Sequence, residues 1–279
     1  MRETAIPLAR RVAIHDAARV RVASWNVNGI RARLDHVLEW LAERAPDVVG
    51  LQEIKAEAAG FPAAAFEAAG YQMALHSQKA WNGVAILSRH AIEGIECGLP
   101  GREAQGARLI TAATAGLEFT SVYVPNGKTL DHPDYPLKLA WLAALREHFA
   151  RRAVGVAPRV VLGDFNVCPS AIDSWNEAAF HGQIFHTEAE RSAIAALHEI
   201  GLVDAWRLLH PDEPGFSWWD YRDGALHRGH GLRIDFVLVD EVLRGRVERA
   251  WVDRDYRKKR EGRTPSDHAP VIVDLRGEA

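Results

Sequence analysis

Nine polar residues stand at or beside the ends of apolar runs. VRVASWNVNG closes on Asn26 and Asn28, DVVGLQE on Gln52 and Glu53, and RVVLGDFN on Asp164 and Asn166. Asp235 lies inside the apolar run LRIDF, and Asp267 and His268 in TPSDHAPV directly precede the last run. Taken alone, most of these read as turn or cap formers, because Asn and Asp side chains bond readily to nearby backbone. Asp235 does not: a carboxylate between Ile234 and Phe236 needs a buried partner. A histidine is the natural one. Together the set meets the needs of phosphodiester hydrolysis, which requires an attacking water, stabilisation of phosphoryl charge and help for the leaving oxygen. Glu, Asp and Asn offer hard oxygens suited to Mg²⁺ or Mn²⁺. A histidine held by a buried carboxylate has a fixed tautomer and can steady a phosphate or move protons. The sequence has no Cys/His zinc pattern and no G-x-x-x-x-G-K phosphate loop to compete with this chemistry.

Such residues act together only if the elements before them end at one edge. From Val20 the pattern reads strand, helix, strand. Leu34, Val37, Leu38 and Leu41, at i, i+3, i+4 and i+7, predict a helix over Leu34–Glu43 between the strands VRVASWNV and DVVGLQE. Further strands are expected at YQMALH, GVAILS, ARLITAAT, LEFTSVYV, RVVLGDFNV, RIDFVLVD and PVIVDL, with helices near Tyr135 to Arg152 and Glu188 to Ile200. Many strands with few helices between them fit face-to-face sheets with helices outside, an α/β sandwich in several layers. Residues 1–19 read as an N-terminal extension and 20–279 as one catalytic domain.

Composition bounds the partners. The 279 residues carry 34 Lys and Arg against 37 Asp and Glu, and a net charge of −3 argues against coating nucleic acid through bulk charge. It leaves room for local grip. Arg254, Arg257, Lys258, Lys259, Arg260 and Arg263 crowd into one short run, readable as a solvated loop or a DNA-backbone contact. Two cysteines, Cys97 and Cys168, make no disulfide framework. No stretch approaches the roughly 20 apolar residues of a membrane span, and the start lacks a signal-peptide run. A cytoplasmic, soluble protein is the expectation. Trp25, Trp40 and Trp141 sit on apolar faces and are expected in the core.

The motifs SWNVNGIRAR, PDVVGLQEIK, GVAILSR, VYVPNG, GDFNVCP, GLVDAWR, FSWWDYR, GLRIDF and PSDHAPV occur in this order from Val20 to Leu275. In that order they resemble the exonuclease III family of abasic-site (AP) endonucleases, within the wider endonuclease/exonuclease/phosphatase superfamily. The resemblance implies a DNase I-like fold, a four-layer α/β sandwich of two packed mixed β-sheets flanked by helices, with the site at one end of the sheets. It implies metal-side roles for Asn26, Glu53 and Asp267, with Glu53 the principal Mg²⁺ ligand and Mn²⁺ an alternative. Asp164 and Asn166 would handle the nucleophile and phosphate, His268 would contact the scissile phosphate, Asp235 would orient it, and Tyr123 would point its hydroxyl there.

By the same resemblance, Trp218, Leu232 and Ile234 would line an apolar pocket for a base-free sugar, selecting abasic sites by shape. Plain core packing is the competing reading for Trp218, and the stronger one for Trp219. Lys79, Asn82, Asn126 and Lys128 match positions that touch DNA, and Arg257 and Lys258 would contact its backbone from the basic run. The implied activity is that of a Mg²⁺-dependent monomer acting on double-stranded DNA. It would cut 5′ to abasic sites and trim or degrade 3′ ends as a 3′–5′ exonuclease in base excision repair. A superfamily phosphodiesterase or phosphatase acting on RNA or a small phosphoester is the alternative; it should lack FSWWDYR, GLRIDF and the basic run. An inactive scaffold would have lost a site residue, and none is missing. Asn28 stands where some relatives have aspartate, which alters charge beside the metal.

Overall fold

The structure, a computed structural model, describes residues 19–152 and 157–277. All but the last residue of the expected extension over 1–19 lies outside the described residues; Arg19 already opens the first strand. Strands β1 (Arg19–Asn26), β2 (Val48–Gln52), β3 (Gln72–His76) and β4 (Val84–Ser88) begin one sheet. The chain then builds a second sheet from β5 (Glu93–Cys97), β6 (Leu109–Thr114), β7 (Leu117–Tyr123), β8 (Arg159–Asp164), β9 (Leu202–Asp204) and β10 (Asp235–Asp240). Finally β11 (Val247–Val252) and β12 (Val271–Arg276) return to the first. The strand orders are β11-β12-β1-β2-β4-β3 and β5-β6-β7-β8-β10-β9.

The helices include α1 (Ile30–Arg44), α2 (Ala63–Ala68), α3 (Asp134–Arg151), α4 (Glu177–Phe180) and α5 (Glu188–Glu199), besides further short helical segments. Val37, Trp40 and Leu41 of α1 pack on Trp25, Leu51 and Ile272 on the outer face of the first sheet. Trp141, Leu145 and Phe149 of α3, with Ile194 and Leu197 of α5, cover Val161, Phe236 and Leu238 of the second. Between the sheets lies a third core, built from Val22, Val48, Ile86, Phe119, Leu162 and Val273 among others. The result is the four-layer sandwich with mixed sheets, and Trp25, Trp40 and Trp141 are core as expected. The sheets meet closely at Gly50: a Cβ there would stand 2.7 Å from that of Leu162, so only glycine fits without displacement.

Each sheet contains a single parallel pair, β1 with β2 and β7 with β8. Parallel neighbours end at the same edge. Asn26 therefore pairs in register with Gln52, and Tyr123 with Asp164. Antiparallel β10 starts where β8 ends, so Asp235 pairs with Asp164. The sheet order thus delivers the strand-end residues to one edge.

Three strands lack the signal that revealed the others. β5 is an exposed edge strand, EGIEC; β9 has three residues; and β11 alternates charge with a bulge between Val247 and Arg249. The first helix also starts four residues before the expected Leu34. Among the described residues no helix is long and apolar enough to cross a membrane.

Candidate active site

The centre of the edge is a buried pair. His268 Nδ1 lies 2.8 Å from Asp235 Oδ2, and Ser217 Oγ donates to the same oxygen at 2.5 Å. The partner that Asp235 needed is therefore present. Burial alone would depress the imidazole pKa; Asp235, and after it Asp164, overturn that and push it up to about 10. At neutral pH the ring is a cation whose Nε2 is 3.7 Å from Asp164 Oδ2. The Asp164 carboxyl is raised too, but by burial itself: opposed by His268 and reinforced by Asp235, burial lifts it to about 7. It sits poised between acid and base.

Asn166 is fixed around Asp164. Its backbone N–H donates to Asp164 Oδ1 at 2.9 Å and its side-chain amide to the Val124 carbonyl, while its Oδ1 accepts from Asn126. Tyr123 is nearly buried, and burial, then Glu53 and Asp164, hold its hydroxyl protonated far above the usual range. It can only donate. The Arg108 guanidinium lies 4.8 Å from the centroid of its ring.

The hard-oxygen set lies beside this pair. Asn26 Nδ2 bridges Glu53 Oε1 and Asp164 Oδ2, both at 2.8 Å. Lys55 Nζ contacts Glu53 Oε2 and Asn28 Oδ1 at 2.6 Å, and the Asn28 amide donates to Asp267 Oδ1. Glu53, Asn26 and Asp267 thus belong to one hydrogen-bonded network. Glu53 (φ 49°), Lys55 (φ 50°), Asn28 (φ 47°) and Asn166 (φ 51°) are all left-handed. For Glu and Lys this costs on the order of 1 kcal/mol each, and such strain concentrates at functional sites.

Asp164, Asp235 and His268 offer ligand atoms within 4.8 Å of one another, a spacing consistent with a divalent cation. Asp235, however, is committed to His268 and Ser217, and an imidazolium does not ligate. The oxygen donors of Glu53, Asp267 and Asn26 are the chemically better fit to a hard cation. Ser217, Ser266, Lys55 and Arg108 escaped the sequence reading. Ser266 Oγ donates to the Asn26 carbonyl at 2.6 Å and accepts from the His268 N–H, so it splices the last strand to the first. Only its place inside PSDHAPV could have flagged it.

The residues expected to bind substrate fare unevenly. Trp218 bridges Leu232 on one side and His268 on the other, and its indole N–H donates to Asp267 Oδ2 at 3.0 Å. Leu232 and Ile234 do lie beside it, but they are 5% and 2% exposed in a cluster with Cys168, Phe185 and Trp218. Asn82, Asn126 and Lys128 line a groove of about 710 Å³ that also holds Trp81, Arg108 and Tyr123; Lys79 is exposed nearby in sequence and is not among the lining residues.

Arg257 is corrected. It is 6% exposed, and its guanidinium donates to the carbonyls of Asp267, Trp219 and Asp220, making it a strut behind the site and not a free contact. The basic run is largely paired within the chain: Lys258 with Asp255, Arg260 with Glu39 and Glu43, and Arg263 with Glu39 and Glu261. Trp219 is core, as expected.

Residues 23–268 match the endonuclease/exonuclease/phosphatase family. The chain is 32% identical to exodeoxyribonuclease III of Haemophilus influenzae over 274 residues, covering 92% of this chain and all of that one. Among solved structures it resembles the 3′ phosphatase NExo from Neisseria bound to product DNA hairpin, with TM-score 0.86 and 35% identity over 92% of this chain and 99% of that chain. It resembles equally an AP endonuclease from Archaeoglobus fulgidus, with TM-score 0.86 and 35% identity over 91% and 98% of the two chains.

Proposed function

The chain belongs to the endonuclease/exonuclease/phosphatase family, on its exonuclease III side, and from that premise we propose that it is a Mg²⁺-dependent DNA repair phosphodiesterase. It cuts duplex DNA 5′ to abasic sites and processes 3′ ends. The observation that carries this reading is the His268–Asp235 pair facing Asp164, joined through Asn26 to Glu53.

In this reading Glu53 and Asp267, with Asn26 beside them, hold the divalent cation, which when bound neutralises charge on the phosphoryl oxygens. The His268 imidazolium supplies a fixed positive charge to the phosphate, and Asp235 and Ser217 hold its ring in place. Asp164 takes a proton from the attacking water or gives one to the leaving oxygen; its place between acid and base suits either. Asn166 and the Tyr123 hydroxyl donate to phosphate oxygens. Loss of the 3′ phosphate from a strand end and incision of the strand are the same displacement at phosphorus, each expelling a 3′ oxygen, and they differ only in whether the phosphate carries a 5′-linked sugar on its other side.

The likeness to the 3′ phosphatase NExo favours a second reading, in which 3′-end processing dominates and abasic incision is weak. Three duplexes separate the readings: one abasic, one ending in a 3′ phosphate, and one intact with a recessed 3′ end, each with Mg²⁺ and with EDTA. Mg²⁺-dependent incision of the first supports the leading reading, and action on 3′ ends alone supports the second. Turnover in EDTA equal to that in Mg²⁺ would overturn both.

A further inference from the structure

Trp175 stands out on the surface. Its indole is 38% exposed, although it stacks on the His230 ring at 3.7 Å and 10°, and Phe180 meets it edge-on at 5.7 Å. The pair is built into the wall of the site. The Trp175 N–H donates to the Gly231 carbonyl, and the neighbouring Ser174 bridges Leu232, which bridges Trp218, which bridges His268. Three bridges at strand spacing put the stack about 15 Å from His268 along that row. Asn176 caps α4, which carries Phe180, so the backbone under the stack is anchored on both sides. Arg228 is exposed two residues before His230. A part-exposed aromatic surface anchored in this way is how proteins hold a base of an unpaired or frayed strand.

We propose that the Trp175–His230 stack is a nucleobase subsite: it takes one base of the DNA, a few nucleotides from the phosphate held at His268. This rests on the DNA-cleaving reading above. An aromatic side chain used in this way contributes without reading sequence, because every base has a stacking face.

The test measures binding in Mg²⁺ by anisotropy, in an Asp164→Asn background that keeps the oligonucleotides intact. The DNA carries a 3′ end, with bases deleted one at a time along each strand. Trp175→Ala should bind the intact DNA about tenfold more weakly, within the range for losing one base stack. That penalty should fall below twofold when the base at one position is missing, and Trp175→Phe should keep most of the affinity. His230→Ala should show the same positional pattern with a smaller penalty, which serves if Trp175→Ala does not fold. A penalty equal for every DNA, or none, would overturn the subsite. Cleavage by the wild-type protein is scored separately: no cleavage of any DNA would sink the function reading, whereas position-independent binding sinks only the subsite.

Discussion

Replacing Lys138 by Met should cost both stability and turnover, and the two losses should come apart in a double variant. The Lys138 ammonium is fully buried in α3, 2.5 Å from Glu190 Oε1, 2.6 Å from the Asn166 carbonyl and 3.2 Å from that of Asn126. It therefore clamps the backbone of two site residues from behind. Burial pushes its pKa down, and Glu190 opposes that only in part. Removing the ammonium leaves the Glu190 carboxylate buried with only the neutral donors Phe185 N, Thr187 N and Thr187 Oγ1. Breaking a buried pair in this way costs roughly 3–5 kcal/mol, a large part of the ~5–15 kcal/mol that holds a typical domain folded.

Lys138→Met/Glu190→Gln removes the stranded charge and should recover most of that stability in a urea titration. The Asn126 and Asn166 carbonyls still lack their charged donor. With the loop free to shift by about 1 Å, kcat should stay down by ~100-fold with little change in KM. A double variant with wild-type kcat would show that the pair only holds the fold together and would refute the positioning role.

Asp235→Asn should lower the His268 pKa, because Asp235 is the strongest influence opposing burial. The imidazolium fraction at pH 7.5 then falls, and cleavage should drop at least tenfold, up to ~10⁴-fold if orientation is lost as well. Part of the activity should return on acidification toward pH 6, and an unchanged pH–rate profile would count against the charge role. Asp173 lies between Arg233 and Arg207; burial is the largest influence and raises its carboxyl pKa, but Arg233, Ser170 and Arg207 together outweigh it and the net shift is downward. A depressed folded pKa stabilises above the unfolded value of 3.8 and is lost as pH falls through the folded one. Asp173→Asn should therefore destabilise at pH 7, with the gap to wild type closing below about pH 4 in urea midpoints measured across pH.

The sequence made much of the site legible because strand endings are local. Polar residues closing apolar runs named Asn26, Glu53, Asp164 and Asn166, and a carboxylate stranded among apolar neighbours demanded the partner that His268 supplies. Pairings that join distant segments left no such mark. Arg260 meets Glu39 across 221 positions, so the basic run looked free when α1 already supplied its counter-charge. Ser217 and Arg108 carry no pattern of their own and act only through the groups they touch. The sugar pocket came from the family resemblance alone; nothing in the residue types would have foretold that Cys168 and Phe185 join Trp218, Leu232 and Ile234 in one apolar cluster.

If one buried network at the sheet edge hydrolyses a phosphodiester with Asp164 as the proton-moving group, removing that proton carrier alone must stop the reaction. Asp164→Asn keeps the size and most hydrogen bonds of the side chain, so single-turnover cleavage and DNA binding in Mg²⁺ test it directly. We expect cleavage to fall by at least ~10³-fold with binding within a few-fold of wild type. Cleavage within tenfold of wild type would contradict the account.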